Sequence, residues 1–200
     1  MLVGLDFDNT IVGYDRVFHT AARERGLIDA ATPASKIAVR DELRRRDVED
    51  AWTELQGYVY GCRMADAELF PGVVEVLQWA RSQGLDLAIV SHKTRHPFLG
   101  PKYDLHRAAR EWIESHLCDR NGPLVSPDRV SFRQTKAEKI ARIDELGCDV
   151  YVDDLPEILL AEAFPTATRR ILFDPAGNYL EEAGLEHAGS WLDIRALIDS

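Results

Sequence analysis

Residues 3–15, VGLDFDNTIVGYD, begin with an apolar run and then place two aspartates, Asp6 and Asp8, two positions apart. Four later runs are apolar as well. Together with the first run they predict five strands, at residues 2–7, 85–90, 130–132, 150–152 and 170–173. Because these runs are apolar throughout rather than alternating, they are typical of strands that are buried on both faces of a parallel sheet.

Helical periodicity fills the segments between the runs. Helices are predicted at 73–83, 107–117 and 136–146, and two of them are followed by a glycine, Gly84 and Gly147, as helices commonly are at their C-terminal ends. Alternation of strand and helix predicts an α/β fold, a doubly wound, Rossmann-like parallel sheet with helices on both faces.

The segment 14–69 lacks a convincing strand and carries helical spacing, for example at Val48, Trp52, Leu55 and Val59. We therefore predict a small all-helical cap at 14–69, inserted after the first strand, and an α/β core formed by 1–13 and 70–200. The Phe-Pro-Gly sequence at 70–72 marks the return to the core.

The chain of 200 residues has a formal net charge of −10, which argues against bulk attraction to nucleic acid or to an anionic membrane. No apolar run approaches the roughly 18 residues that suggest a membrane span, and the N-terminus does not resemble a signal peptide. We expect a cytoplasmic protein. Its three cysteines are scattered and are expected to be buried free thiols rather than metal ligands. The sequence does not predict the oligomeric state.

Polar residues follow four of the predicted strands, namely Asp6 and Asp8, Ser91, Lys136, and the pair Asp153 and Asp154. Because parallel strands point the same way, we expect these side chains to converge at the carboxyl edge of the sheet, where open α/β sheets bind ligands. A cluster of carboxylates without histidine or cysteine favours Mg²⁺ over zinc.

Such a group of residues suits phosphoryl transfer. One carboxylate can attack phosphorus and form an aspartyl-phosphate, while a second carboxylate two residues away protonates the leaving group and then activates water. A hydroxyl and an ammonium group, here Ser91 and Lys136, would donate to the phosphate oxygens as charge spreads over them.

These residues resemble the four motifs of the haloacid dehalogenase-like hydrolase superfamily, in the same order and over nearly the full chain. The quoted matches are DFDNT at 6–10, IVSHK at 89–93, a lysine in TKAEKI at 135–140, and YVDDLPE at 151–157. The third motif is a lone lysine; Lys136 fits by its position at the start of a helix, and Lys139 is the alternative. The helical segment 14–69 lies where this family inserts its type 1 cap.

The resemblance implies a role for each matching residue. Asp6 would be the nucleophile and Asp8 the acid/base. Mg²⁺ would be held by the Asp6 carboxylate, the Asp8 main-chain carbonyl and Asp153. Asp154 would bind the metal through water or orient Lys136. We also expect Thr10, His92 and Lys93 to contact the substrate, His92 and Lys93 as part of the long cationic stretch 91–106.

Several alternatives stay open from the sequence. The Asp6–Asp8 pair is also typical of a turn after a strand, and Ser91 of a helix N-cap. The main prediction is a Mg²⁺-dependent phosphatase acting on a small phosphorylated metabolite. The alternatives are a non-catalytic phosphate-binding protein with the same fold, a phosphomutase, or a dehalogenase.

Overall fold

The computed structural model describes residues 1–179 and 183–200. Its strands are β1 (Leu2–Leu5), β2 (Val12–Gly13), β3 (Glu68–Leu69), β4 (Asp86–His92), β5 (Cys118–Asp119), β6 (Gly122–Pro123), β7 (Val130–Arg133), β8 (Val150–Asp153), β9 (Arg169–Phe173) and β10 (Glu186–Ala188). Its helices are α1 (Asp15–Glu24), α2 (Lys36–Arg45), α3 (Glu49–Cys62), α4 (Val73–Ser82), α5 (Leu105–His116), α6 (Lys136–Leu146), α7 (Pro156–Leu159) and α8 (Trp191–Asp199). Within the described ranges, no helix combines the length and the apolar character that crossing a membrane requires.

The chain forms two compact units. One unit, which we call the sheet unit, comprises Met1–Val12, Leu69–Lys93 and Leu117–Ser200, with 180–182 outside the described residues. The other, the helical unit, comprises Gly13–Glu68 and Thr94–His116.

The sheet unit contains a six-stranded sheet in the order β10-β9-β8-β1-β4-β7, and all of its described strand pairs are parallel. The chain builds outward from β1 through β4 to β7, and then continues on the other side of β1 with β8, β9 and β10. The direction of strand order therefore changes between β1 and β8, which is where open α/β sheets form their ligand crevice.

The predicted α/β class is confirmed, and the five predicted strands all lie in this sheet. Strand β1 is shorter than the predicted 2–7. The Asp6 main-chain N–H still donates to the Val152 carbonyl over 2.8 Å, but the chain then leaves the sheet. Several short elements were not predicted, among them the edge strand β10 and the helix α8. Strand β10, Glu-His-Ala, is only three residues long and offers no apolar run.

Helix α6 matches its predicted bounds because strong signals fix both of its ends. Thr135 and Glu138 form a capping box, in which the side chain of each residue accepts a hydrogen bond from the main-chain N–H of the other. Gly147 ends the helix in the left-handed conformation, with φ of 64°, which glycine adopts without steric cost. Between these ends the helix buries Ile140 and Ile143.

The helical unit is built around aromatic and aliphatic side chains of α1, α2 and α3. Phe18, Leu43 and Leu55 are fully buried, and the rings of Tyr14 and Tyr60 meet edge to face at 4.9 Å. Helix α3 carries the predicted apolar stripe from Trp52 onward. Val48, by contrast, is the exposed N-cap residue of α3.

The predicted helical cap is too short, because 94–116 also belongs to this unit and not to the α/β core. Helix α5 packs against α3, and the Trp112 indole donates to the Ala67 carbonyl over 3.0 Å. The segment before α5 lies so close to α3 that a Cβ on Gly57 or Gly61 would fall 2.6 Å from Pro97 or 2.3 Å from Tyr103, respectively. The two glycines on α3 are what allow this approach.

Candidate active site

Asp6 and Asp153 meet at the point where the strand order changes. Asp6 follows β1 directly, and Asp153 is the last residue of the neighbouring parallel strand β8. Both side chains are buried, at 5% and 0% exposure. The sheet topology therefore brings together two acids that are far apart in sequence, as predicted from the strand ends.

The loop after Asp6 is a tight structure that turns the chain back on itself. Ile11 and Val12 both donate to the Phe7 carbonyl, over 3.0 and 3.2 Å, and Asn9 donates to the Val12 carbonyl over 2.8 Å. Asn9 adopts φ of 60°, a left-handed conformation that asparagine tolerates better than most residues. We call 7–12 the catalytic loop; its hydrogen bonds determine where Asp8 is presented.

Lys139 links the two buried acids. Its Nζ donates to Asp6 Oδ1 over 2.7 Å and to Asp153 Oδ2 over 2.6 Å, and its side chain is 2% exposed. Burial alone would lower the pKa of Lys139, but the attraction of Asp153 and then of Asp6 outweighs it and raises the pKa above the usual lysine value. Lys139 therefore remains a cation between two carboxylates.

Asp153 is held on both of its oxygens, since Oδ1 accepts the Leu155 main-chain N–H over 3.0 Å. Its pKa is shifted upward: burial raises it, the charge of Lys139 lowers it, and the charge of Asp6 raises it again. One ammonium group thus serves two buried carboxylates.

Lys136, the first choice for the lysine of the third motif, does not contact the two buried acids. Its Nζ is paired with Glu157, and the two side chains are 49% and 59% exposed. Lys136 is the first residue of α6 and lies beyond the buried surface, whereas Lys139 lies one turn further along, next to the buried Ile140. The alternative lysine is the one that reaches the acids.

Asp8 has a buried partner as well. Lys93 Nζ lies 2.8 Å from Asp8 Oδ2 and 3.1 Å from Oδ1, and the Lys93 side chain is 3% exposed. The ammonium group also lies 5.8 Å from the centre of the Phe7 ring. Lys93, expected to contact the substrate, is thus engaged with the second aspartate of the motif.

The other predicted contact residues have different surroundings. Ser91 is buried near the carboxyl end of β4, the strand beside β1, in agreement with its predicted place. His92 is exposed, and its Nε2 contacts the Gln134 carbonyl over 3.0 Å. Thr10 is fully buried, and its Oγ1 has no hydrogen-bond partner among the described residues. The expected contact of Thr10 with the substrate stays a prediction.

Asp154 completes an acidic cluster. One carboxylate oxygen from each of Asp6, Asp153 and Asp154 can be chosen so that all three lie within 4.8 Å of one another. Two residues of the cationic stretch have partners within the helical unit: Arg95 pairs with Asp104 at 3.2 Å, and His96 Nδ1 contacts the Tyr103 carbonyl.

No protein-family model matches the chain, and no curated protein matches it. Solved structures do. A haloacid dehalogenase-like hydrolase from Streptococcus pneumoniae superimposes with a TM-score of 0.64 at 17% sequence identity, covering 98% of this chain and 97% of that one.

Two further structures carry more specific descriptions. A predicted phosphoglycolate phosphatase from Haemophilus somnus gives a TM-score of 0.55 at 15% identity and covers 98% of this chain and 97% of its own. An L-2-haloacid dehalogenase gives 0.56 at 16% identity, covering 100% of this chain and 98% of its own. The resemblance inferred from the four motifs is confirmed at the level of architecture: the chain has the fold of the haloacid dehalogenase-like hydrolases.

Proposed function

We propose that the protein is a Mg²⁺-dependent phosphatase of the haloacid dehalogenase-like type, which hydrolyses a small phosphorylated metabolite through an aspartyl-phosphate. The observation that carries this proposal is the pair of lysine–aspartate groups at one edge of the sheet, Lys139 with Asp6 and Asp153, and Lys93 with Asp8. Two aspartates in separate environments suit two separate chemical roles.

The acidic cluster fits a magnesium ion. Its donors are all oxygens, and Asp6 and Asp153 share a single ammonium group, so a further cation is favoured there. One carboxylate oxygen from each of the three residues lies within 4.8 Å of the others, so the three side chains are close enough to share one ion. Asp6, Asp153 and Asp154 would hold it, with the Asp8 carbonyl implied by the motif. When bound, Mg²⁺ supplies positive charge that offsets the charges of carboxylate and phosphate.

Asp6 is assigned as the nucleophile because it is buried, fixed by Lys139 and placed at the end of the central strand β1. Lys139 is itself held by Asp153, and it therefore keeps the Asp6 side chain in one orientation. Positioning of this kind supplies much of the rate in phosphoryl transfer. Ser91, buried at the end of β4, is assigned to donate to the phosphate.

Asp8 is assigned as the acid and then the base. Its side chain is 19% exposed, in contrast to the buried Asp6, so it has access to solvent and to a leaving group. Lys93 binds both of its oxygens and holds the carboxylate in one orientation. Protonation of an alkoxide and activation of water both require such a group near the reacting atoms.

The same observations weigh against the rivals. A halide leaves as an anion and needs no proton, so a dehalogenase has no use for a general acid at Asp8. A non-catalytic phosphate-binding protein has no need of a nucleophile at Asp6. A phosphomutase would use the same residues with a phosphorylated acceptor, and a test for transfer of phosphate to a second substrate distinguishes it.

The first experiment is a screen of phosphorylated metabolites and of 2-haloacids, with and without Mg²⁺. Metal-dependent release of phosphate from one class of compound supports the proposal and identifies the substrate. Release of halide that persists in EDTA, or no turnover of any compound, contradicts it.

The two aspartates are then separated by substitution. Asp6→Asn should abolish turnover of every substrate, since no phosphoenzyme can form. Asp8→Asn should still be phosphorylated by a nitrophenyl ester, whose leaving group needs no proton, and should accumulate about one equivalent of phosphoenzyme because hydrolysis lacks its base. An Asp8 variant within a few-fold of wild type on an alkyl phosphate contradicts the assignment, because acid/base catalysis contributes roughly 10²- to 10⁴-fold.

A further inference from the structure

The catalytic loop is connected to the C-terminal end of the chain by one buried hydrogen bond. The indole Nε1–H of Trp191 donates to the main-chain carbonyl of Thr10 over 3.0 Å, across 181 positions of sequence. Trp191 is 1% exposed and Thr10 is 0% exposed, so water is excluded from both groups. A buried carbonyl is costly to leave without a donor, and here a side chain of α8 supplies it.

The indole is itself held firmly. Trp191 is the first residue of α8, which Ser190 caps by accepting the Asp193 main-chain N–H over 3.2 Å. The Phe173 ring packs against the indole at 6.4 Å between centres, and a Cβ on Gly72 would lie 3.2 Å from the Trp191 Cβ. The donor therefore has little freedom to follow a loop that moves.

The side chain of Thr10 does not provide an alternative attachment. Its Oγ1 is buried without a hydrogen-bond partner among the described residues, so the hydrogen bond between Thr10 and α8 is made by its main-chain carbonyl. Main-chain bonds within the loop preserve its shape. From outside the loop, the Phe70 main-chain N–H donates to the Ile11 carbonyl over 3.0 Å, and Lys93 pairs with Asp8. The bond from Trp191 attaches the loop to the sheet unit at a further point, Thr10, two residues after Asp8.

We propose that Trp191 is a positioning residue for the reaction: through the Thr10 carbonyl, helix α8 helps to fix the catalytic loop and with it Asp8. This inference rests on the proposed function as far as Asp8 is concerned. The attachment of the loop to α8 can be measured without any activity.

The test compares Trp191→Phe with Trp79→Phe. The first variant removes the indole N–H and keeps an aromatic ring. The second makes the same chemical change in α4, where the Trp79 ring packs against Arg195 of α8 at 5.0 Å, and so also perturbs α8 but not the bond to Thr10. Turnover of p-nitrophenyl phosphate with Mg²⁺ and hydrogen exchange of the Ile11 and Val12 amides are measured for both, well below their melting temperatures.

Trp191→Phe should lower kcat roughly 10- to 100-fold with little change in KM, since small misplacement of a reacting group has effects of this size. The same variant should exchange the Ile11 and Val12 amides at least about tenfold faster than Trp79→Phe. Equal exchange in the two variants overturns the attachment of the loop to α8. Faster exchange with an unchanged kcat overturns the positioning role. If the wild type has no phosphatase activity, the proposed function fails, and the exchange result still decides the attachment.

A second variant covers the case in which Trp191→Phe does not fold. Ser190→Ala removes the cap of α8 and leaves the indole in place, so that α8 opens more often. If the loop depends on α8, the Ile11 and Val12 amides should exchange faster by the same factor as the amides of α8. An increase confined to α8 contradicts the inference.

Discussion

Lys139 is expected to be the residue of the site whose loss most affects stability as well as activity. Lys139→Met keeps most of the side-chain volume, removes the charge, and leaves Asp6 and Asp153 buried without their shared ammonium group. Breaking a buried ion pair in this way costs about 3–5 kcal/mol. For a chain of 200 residues this corresponds to a decrease in Tm of about 6–20 °C.

Lys136→Met is the matched control, three positions earlier in the same helix. Its pair with Glu157 is largely exposed, and exposed pairs contribute about 0–1 kcal/mol, so Tm should fall by at most about 4 °C. Thermal unfolding of the wild type and both variants is followed by circular dichroism at neutral pH in EDTA. Mg²⁺ should restore part of the lost Tm in Lys139→Met, because a bound cation replaces the missing charge. An unchanged Tm in Lys139→Met, or an equal loss in Lys136→Met, would refute the reasoning.

Two further predictions concern buried side chains. Lys93→Met should lower kcat/KM for a phosphate ester by about tenfold or more, because Asp8 loses the group that orients it; a rate equal to wild type would remove Lys93 from the site. Burial raises the pKa of the Cys148 thiol to about 11, so a disulfide reagent at pH 8 should titrate the exposed Cys62 and Cys118 quickly and Cys148 only after unfolding. Rapid titration of all three thiols would contradict the burial of Cys148.

The sheet could be predicted from the sequence because its strands are short runs of apolar residues, each followed by a polar group at the same edge. The spacing of Asp6 and Asp8, and the pair Asp153 and Asp154, carried enough information to place the acids together. Helical periodicity followed by Gly147 likewise predicted helix α6.

The ion pairs of the site could not be predicted in the same way. A single lysine carries no spacing signal, and the start of α6 favoured Lys136 over Lys139. The useful signal was that Lys139 lies on the buried stripe of α6 with Ile140 and Ile143, where an apolar residue is otherwise expected. Lys93 looked like one of many cations in a surface segment, and only the burial of its side chain against Asp8 distinguishes it.

Long-range packing explains the remaining differences. Helix α5 has an ordinary amphipathic pattern, which says that one face is buried but not against which partner, so its place with α3 was not predicted. Trp191 lies in a short C-terminal helix. Its hydrogen-bond partner, the Thr10 carbonyl, lies nearly the whole chain away in sequence, so the contact could not be predicted.

Because the helical unit is made from two separate stretches of chain, it is not a portable module. Exchange of caps between proteins of this fold by swapping Gly13–Glu68 alone would bring a foreign α3 to the resident α5. The incoming helix would have to present small residues at the positions of Gly57 and Gly61, or Pro97 and Tyr103 would find no room. We therefore expect inheritance of the two stretches to be coupled, so that α3 and the segment at Thr94–His116 change together or not at all.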